Sequence, residues 1–130
     1  MALTTDTAKS IVDAYIDAWN TRNRDGYLSL FAPNATVEDP VGSPIHVGAE
    51  AIGAFFDGSL ALADSLNMSA HAESIRVSGT SIAFMFTVAS VIGDTTIELT
   101  PIDVFEITDD GLISSMKAFW SGQDMRTVSA

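Results

Sequence analysis

The hydrophobic period of this chain changes once, near residue 66, and this change constrains the fold more than any other feature of the sequence. Before that point, apolar residues recur at the spacing of an amphipathic helix. The first such stripe consists of Ala8, Ile11, Val12, Tyr15, Ala18 and Trp19. The sequence therefore predicts a long first helix with one buried face, and Thr5 or Asp6 is its expected N-cap.

Three shorter elements are predicted after this helix. The first is a short helix at 25–32, which ends before the turn signal Pro33-Asn34, and the second is a brief strand at 34–40. The third is another helix at 48–62. Its buried side would carry Ile52, Phe55, Phe56 and Leu60.

After residue 66 the apolar residues follow a period of two, which is typical of strands. The predicted strand segments are 67–78, 80–92, 95–108 and 112–121. Helices followed by a run of strands predict an α+β fold, in which the helices pack on one face of a curved, mixed or antiparallel sheet and enclose an apolar pocket. No repeat or linker interrupts the chain, so residues 1–130 are expected to form a single domain.

Composition excludes several classes of function. Seventeen acidic residues against six basic ones give a net charge of −11, which repels phosphate backbones and anionic lipid. We therefore expect no nucleic-acid partner and no membrane surface, whereas a neutral apolar small molecule is compatible with the charge. Cysteine is absent, which removes disulfides and thiolate metal sites. No signal-like N-terminus or long apolar run is found, so the expected location is cytoplasmic.

The stretch TVEDP places two acids at the end of the short predicted strand. With a period of two, Ala35, Val37 and Asp39 share one face, whereas Thr36 and Glu38 share the other. Glu38 is then an ordinary solvated acid. Asp39 points inward, where an isolated carboxylate needs a partner or a task. The alternative is that Asp39 only caps the turn that follows it.

A second inward acid is predicted in the stretch TIELTPIDVFEIT. Asp103 shares its face with Ile97, Leu99, Pro101, Phe105 and Ile107, and the opposite face carries Glu98 and Glu106. Burial disfavours a charged carboxylate, so the pKa of a buried Asp103 would be raised and the neutral acid could donate a hydrogen bond. The alternative is an edge position or a different register, which would leave Asp103 in water.

Tyr15 is the third candidate, because it lies on the apolar stripe of the first helix rather than on its polar face. A buried tyrosine hydroxyl usually finds a hydrogen-bond partner, and most such tyrosines are structural. An inward base, an inward neutral acid and an inward phenol could nevertheless abstract a proton and stabilise the oxyanion that results. Asp39, Asp103 and Tyr15 are therefore the candidate catalytic residues.

Four stretches of this chain resemble the bacterial Δ5-3-ketosteroid isomerases. They are AYIDAWN (14–20), LFAPNATVEDPVGS (30–43), TPIDVF (100–105) and ISSMKAFW (113–120). VEDPVGS together with PID is the most specific part of the match. These isomerases are a branch of a SnoaL-like superfamily of cone-shaped α+β folds that includes nuclear transport factor 2 and polyketide cyclases. The resemblance implies this cone and, because the fold often dimerises, a homodimer.

The resemblance also implies an activity, the isomerisation of a 3-oxo-Δ5-steroid to the conjugated Δ4 ketone without metal or cofactor. The family's general base falls on Asp39, its phenolic oxyanion-hole donor on Tyr15, and its protonated carboxylic donor on Asp103. Ketosteroid isomerases are the known example of a carboxylic acid kept neutral by an apolar site. Asp39 would move a proton from C4 to C6 through a dienolate whose oxygen is held by the two donors.

A flat steroid requires an apolar wall. The candidates for that wall are Phe56, Phe86, Val88, Met116 and Trp120. The indole N–H of Trp120 is also expected near Asp39. Many relatives carry a second tyrosine at the place of Phe56, and some carry one at the place of Phe31. The resemblance therefore implies that Tyr15 lacks the phenol that supports it in those relatives.

Another kind of enzyme on the same fold is the first rival interpretation. A cyclase, dehydratase or epoxide hydrolase would need a histidine, or an arginine paired with an aspartate, inside the cone. His46 and His71 are expected at the surface, and Arg76 shares no clear site with an acid.

A non-catalytic binding dimer is the second rival. The surface it would use is an apolar outer face of the sheet, for which Ile113, Phe119 and Val104 are the candidates. Such a protein would have no reason to keep two inward acids and an inward phenol.

Overall fold

The computed structural model describes residues 3–129 of the chain. The first helix, α1, spans Thr5–Asn20 and buries Ala8, Val12, Tyr15, Ile16, Ala18 and Trp19. The predicted stripe is confirmed, except that Ile16 is buried where Ile11 is only half-buried. The N-cap is Thr4, whose side chain accepts a hydrogen bond from the backbone N–H of Thr7. The predicted N-cap therefore lies one or two residues too late.

The next elements are α2 (Arg24–Leu28), β1 (Phe31–Glu38), β2 (His46–Val47) and α3 (Gly48–Ala61). Helix α2 is shorter than predicted, and β1 begins at Phe31 rather than at Asn34. That pair marks an irregularity inside the strand instead of a turn before it. Asn34 has a positive φ of 61°, and the pairing of β1 with its parallel neighbour shifts register between Phe31 and Thr36. No helix within residues 3–129 is long and apolar enough to cross a membrane.

Strands make up the rest of the described chain. They are β3 (Ser65–Ala70), β4 (Arg76–Ser78), β5 (Ser81–Ile92), β6 (Thr95–Leu99), β7 (Ile102–Ile107), β8 (Ile113–Phe119) and β9 (Arg126–Ser129). The predicted segment 95–108 divides into β6 and β7 at Pro101, which has no N–H to donate to a ladder. Strand β9 has no counterpart among the predicted segments.

The strands of residues 3–129 form a mixed sheet in the order β2-β1-β8-β7-β5-β6-β9, with β3 and β4 also paired to β5. The β1–β8 pair is parallel, whereas β7–β8 and β5–β7 are antiparallel. Residues Ser81–Met85 of β5 pair with β7 and residues Val88–Ile92 pair with β6, so β5 joins two sections of the sheet. Helix α1 packs against β3 and α3 against β1. The predicted α+β class is confirmed.

The alternation predicted for β7 is confirmed, and it places the polar candidate Asp103 inside. The buried residues are Pro101, Asp103, Phe105 and Ile107. The prediction that Ile113 faces outward is wrong, because the pairing of β7 with β8 shifts register between Glu106 and Ile107 and Ile113 is fully buried. Phe119 does face outward and is 48% exposed, directly across from the exposed Ile102. Val104 is half-buried.

Candidate active site

A cavity of about 330 Å³ lies between the helices and the sheet. Tyr15 on α1, Asp39 directly after the end of β1, and Asp103 on β7 all line it. The structure therefore brings the three candidate catalytic residues together at one cavity. Among the described residues, no Lys, Arg, His or Glu side chain lines its wall, which is mostly apolar.

Tyr15 is held at the cavity by its place on the buried stripe of α1. It is 2% exposed and packs edge-on against Phe105, with the ring centroids 5.0 Å apart, and against Phe84 at 6.3 Å. Burial raises the pKa of Tyr15 well above its usual value, and any negative charge on Asp103 would raise it further. The phenol therefore keeps its proton at neutral pH and can donate a hydrogen bond.

Asp103 is 1% exposed and sits on β7 between Phe84 of β5 and Ala118 of β8. Neither of its carboxyl oxygens has a hydrogen-bond partner within residues 3–129. Burial raises the pKa of Asp103 well above the usual aspartate value and the negative charge of Asp39 raises it further, while the nearby Tyr15 hydroxyl lowers it. Asp103 is therefore suited to stay protonated and to donate beside Tyr15.

Asp39 meets a different environment at the end of β1. The indole Nε1–H of Trp120 donates a hydrogen bond of 2.6 Å to its Oδ1. Burial raises the pKa of Asp39, but the hydrogen bond from Trp120 and the charge of His46 both oppose that rise. The expected contact of Trp120 with Asp39 is confirmed. A hydrogen-bonded, half-buried carboxylate of this kind is suited to act as a base.

Glu38, the acid next to Asp39, points away from the cavity as the alternation of β1 predicts. It is half-buried rather than fully solvated, because its Oε2 accepts a 2.9 Å hydrogen bond from the backbone N–H of Gly42. Glu38 therefore holds the turn that follows β1, which is the capping role that sequence analysis left open for Asp39.

Three of the five predicted wall residues line the cavity, namely Phe86, Val88 and Trp120. The placement of Phe56 and Met116 differs from the prediction. Phe56 turns into the helix layer, where its ring stacks on Tyr27 with centroids 4.5 Å apart, and the preceding residue Phe55 lines the cavity instead. Met116 is fully buried and is paired across the sheet with Phe105 and Val37. Two residues further along β8, Ala118 takes the wall position.

Sequence analysis missed several other wall residues. They include Trp19, Phe55, Leu62, Leu66, Met68, Leu99, Pro101 and Ala118. Leu99 and Pro101 could have been found, because alternation places them on the same face as Asp103. Leu62 follows the end of α3, and Leu66 and Met68 lie on β3, so their approach to the cavity depends on how these two elements pack.

Tyr27 is a second buried phenol that sequence analysis did not single out. Its ring centroid lies 5.9 Å from that of Tyr15, and the rings of Phe31 and Phe56 pack around it at 5.0 and 4.5 Å. Its hydroxyl is buried and has no hydrogen-bond partner among the described residues. Burial raises its pKa well above the usual value, and the negative charge of Asp39 raises it further. A phenol from α2 therefore lies beside Tyr15, although it donates no hydrogen bond to it.

The histidines and Arg76 lie outside the cavity wall. The ring of His46 packs on Phe55 with centroids 5.0 Å apart, and Nε2 of His71 lies 2.8 Å from the Thr87 hydroxyl. Both histidines are half-buried, so the expectation that they are surface residues is only partly met. Arg76 donates to backbone carbonyls. Within residues 3–129 no cluster of three or more His, Asp or Glu side chains could hold a metal ion.

Comparison with known proteins places the chain in a family. The fold and the site define an α+β protein that encloses a small-molecule cavity with two acids and a phenol. Residues 12–116 match the SnoaL-like domain, and the chain belongs to that family. Over 122 residues it is 38% identical to the steroid Δ-isomerase of Nocardioides simplex, covering 94% of this chain and 96% of the relative. The resemblance to steroid isomerases is thereby confirmed.

Solved structures support the same fold. The crystal structure of RV0760c from Mycobacterium tuberculosis is 26% identical with a TM-score of 0.84, covering 97% of this chain and 99% of that chain. The same protein in complex with estradiol-17β-hemisuccinate matches with a TM-score of 0.80 and 25% identity, covering 92% and 98%. SalBIII, an epoxide hydrolase/cyclase-like enzyme of pyran ring formation in salinomycin, is 26% identical with a TM-score of 0.84, covering 95% and 97%.

Proposed function

We propose that the protein is a steroid Δ-isomerase that converts 3-oxo-Δ5-steroids to 3-oxo-Δ4-steroids. The observation that carries this proposal is the placement of Asp39, Asp103 and Tyr15 at one mostly apolar cavity. Similarity to the Nocardioides simplex steroid Δ-isomerase, and to a protein crystallised with a steroid conjugate, supports the substrate class. The wall of Phe86, Val88 and other apolar side chains suits a flat hydrocarbon skeleton.

The reaction moves one proton within the substrate. The Asp39 carboxylate takes a proton from C4, and the electrons of that C–H bond form a dienolate with negative charge on the C3 oxygen. The protonated Asp39 then gives the proton to C6, the double bond settles between C4 and C5, and the 3-oxo group is restored. Asp39 ends the cycle ionised, so the steps balance without an external acid or base.

The C3 oxygen carries the developing charge and therefore needs donors. Tyr15 and the neutral Asp103 supply two, and both keep their protons because burial raises their pKa values. Donors fixed in a cavity without competing water stabilise an oxyanion more strongly than water does. The negative charge of the ionised Asp39 also favours the protonated, neutral form of Asp103, because it raises the pKa of that carboxyl.

We also expect a homodimer. Ile102 and Phe119 are cross-strand neighbours on the outer face of β7 and β8, and they are 41% and 48% exposed. An exposed apolar pair on a sheet face suits a subunit interface. Sedimentation equilibrium should give twice the chain mass, and Phe119→Glu should shift the protein toward monomer. A monomeric wild type would contradict this expectation.

A turnover assay tests the proposed activity. 5-Androstene-3,17-dione is added, and the ultraviolet absorbance of the conjugated enone is followed over time. We expect the wild type to turn the substrate over and Asp39→Asn to lower kcat by about a thousandfold, because the amide cannot accept the proton.

The matched control is Glu38→Gln, which changes the neighbouring acid on the opposite face of β1. It is expected to keep turnover within about twofold of wild type. An Asp39→Asn variant as fast as the wild type would exclude Asp39 as the base. A wild type that binds the steroid without any absorbance change would indicate a binding protein.

A cyclase-like activity is the second candidate, because SalBIII matches the whole fold as well as RV0760c does. The absence of a histidine or arginine from the described cavity wall disfavours it. The same assay separates the two, since a cyclase would leave the 3-oxo-Δ5-steroid unchanged.

A further inference from the structure

Leu62 combines two properties that rarely occur together. It is 77% exposed, and it lines the catalytic cavity. The other exposed large apolar residues with comparable values, such as Ile45 at 55% and Val47 at 58%, do not line the cavity. Leu62 therefore stands at the mouth of the cavity, with its side chain in solvent when the cavity is empty.

The turn that presents Leu62 is fixed in place. The N–H of Asp64 donates to the carbonyl of Val91 at 2.7 Å, and the N–H of Gly93 donates to the Asp64 carboxylate at 2.8 Å. The guanidinium of Arg22 donates to the Asp64 carbonyl at 3.4 Å. These bonds anchor the turn to the end of α1 and to the β5–β6 hairpin. Leu62 is thus held at the mouth rather than exposed by a loosely attached loop.

The position of Leu62 relative to the catalytic groups indicates what it meets. Tyr15 and Asp103 are 2% and 1% exposed, so they mark the inner end of the cavity. A substrate whose 3-oxo group reaches them extends toward the mouth with its opposite end. Leu62 is therefore placed to meet the end of the substrate remote from the 3-oxo group.

We propose that Leu62 is a specificity-determining residue that selects 3-oxo-steroids with an apolar substituent at C17, the ring carbon remote from the 3-oxo group. This inference rests on the proposed isomerase function. An alkyl substituent would cover the exposed leucine and remove apolar surface of both partners from water. A carboxylate at the same place would gain no such apolar contact and would approach a chain of net charge −11.

Equilibrium binding of three 3-oxo-Δ4-steroids tests this inference without requiring turnover. The three compounds differ only at C17, which carries an oxo group, an alkyl chain or a carboxylate, and binding is followed by quenching of tryptophan fluorescence. We expect the wild type to bind the 17-alkyl compound most tightly and the carboxylate most weakly. Leu62→Ser should weaken binding of the 17-alkyl compound about fivefold and leave the 17-oxo compound within about twofold.

Ile45→Ser is the control, because Ile45 is exposed but is not part of the cavity wall. It is expected to leave all three affinities unchanged. If Leu62→Ser weakened the 17-oxo and 17-alkyl compounds equally, or neither, the role of Leu62 would be refuted while the isomerase proposal stood. If the wild type bound none of the three steroids, the proposed function itself would fail.

Discussion

Asp39 and Asp103 are the same residue type at the same cavity, yet their surroundings differ in two respects. Asp39 is half-buried and accepts a 2.6 Å hydrogen bond from Trp120. Asp103 is almost fully buried, and neither of its oxygens has a partner among the described residues. Burial raises the pKa of both, but the hydrogen bond from Trp120 opposes the rise for Asp39, whereas the charge of Asp39 adds to the rise for Asp103.

This difference shows how two equal side chains are given opposite tasks. A carboxylate that accepts a strong hydrogen bond is stabilised in its charged form, which a base requires. A carboxyl group without a partner in an apolar site is stabilised in its neutral form, which a donor requires. The ionised Asp39 also raises the pKa of Asp103, so the two states reinforce each other. This division of tasks can be tested by changing Asp103, the donor Trp120 and the two buried tyrosines separately.

Removing the donor at the buried site should have the largest effect of these tests. Asp103→Leu keeps the branched shape of the side chain but deletes the acid, and kcat is expected to fall by about 100- to 1000-fold, as for loss of one oxyanion donor. Asp103→Asn retains an N–H that can donate, so its loss should be smaller. Steady-state turnover of the 3-oxo-Δ5-steroid measures both. Equal losses in the two variants would contradict the role of Asp103 as a donor.

The same residue should make stability depend on pH. The folded-state pKa of Asp103 is raised, so between the unfolded value of about 3.9 and the folded value the native state holds a proton that the unfolded state has lost. The stability that this proton contributes is fully present below about pH 4. It is lost by about 1.4 kcal/mol per pH unit as pH rises toward the folded-state pKa. Asp103→Asn lacks this loss, so its stability relative to wild type should increase with pH.

Urea unfolding between pH 4 and 8 measures this difference. Glu50→Gln, which removes an exposed acid from α3, is the control for the loss of one carboxyl group as such. If the stability of Asp103→Asn changed with pH in the same way as that of the wild type, Asp103 would not hold its proton more tightly in the folded state.

The hydrogen bond at the base can be removed separately. Trp120→Phe deletes the donor to Asp39, so the pKa of Asp39 should rise further and the acid limb of the kcat/KM profile should move to higher pH. Above that limb the rate should change by no more than about tenfold, because the base is still present. Trp19→Phe is the matched control, since Trp19 also lines the cavity but its N–H has no partner within residues 3–129. An acid limb that moves equally in both variants would show that the shift does not come from the hydrogen bond.

The inward placement of Asp39, Asp103 and Tyr15 could be predicted from the sequence, because it depends on local periodicity. Alternation along β1 and β7 places Asp39 and Asp103 inward and Glu38 outward, and the helical stripe places Tyr15 beside them. These patterns repeat over two to four residues, so they need no knowledge of what lies across the sheet. The resemblance to ketosteroid isomerases added the chemistry.

The residues that were placed differently or missed depend on features that periodicity does not contain. Ile113 is buried because the register shifts at the β7–β8 connection, which alternation counted along one strand cannot reveal. Met116 and Ala118 share a face, and only the partners across the sheet decide which of them reaches the cavity. Tyr27 lies in a helix of five residues, too short for a periodic face to be recognised.

Tyr27 provides the smallest test, because its buried hydroxyl has no hydrogen-bond partner among residues 3–129 and its ring does not line the cavity they form. Tyr27→Phe removes the hydroxyl and keeps the ring that stacks on Phe56 at 4.5 Å. A buried hydroxyl without a partner costs free energy, so the variant should be as stable as the wild type or up to about 1 kcal/mol more stable in urea unfolding. Its kcat should stay near wild type, whereas Tyr15→Phe should lose about 100-fold because Tyr15 faces the cavity. A clear loss of stability in Tyr27→Phe would mean that its hydroxyl is bonded to buried water. A loss of kcat as large as that of Tyr15→Phe would mean that Tyr27 is a third hydrogen-bond donor to the C3 oxygen, beside Tyr15 and Asp103.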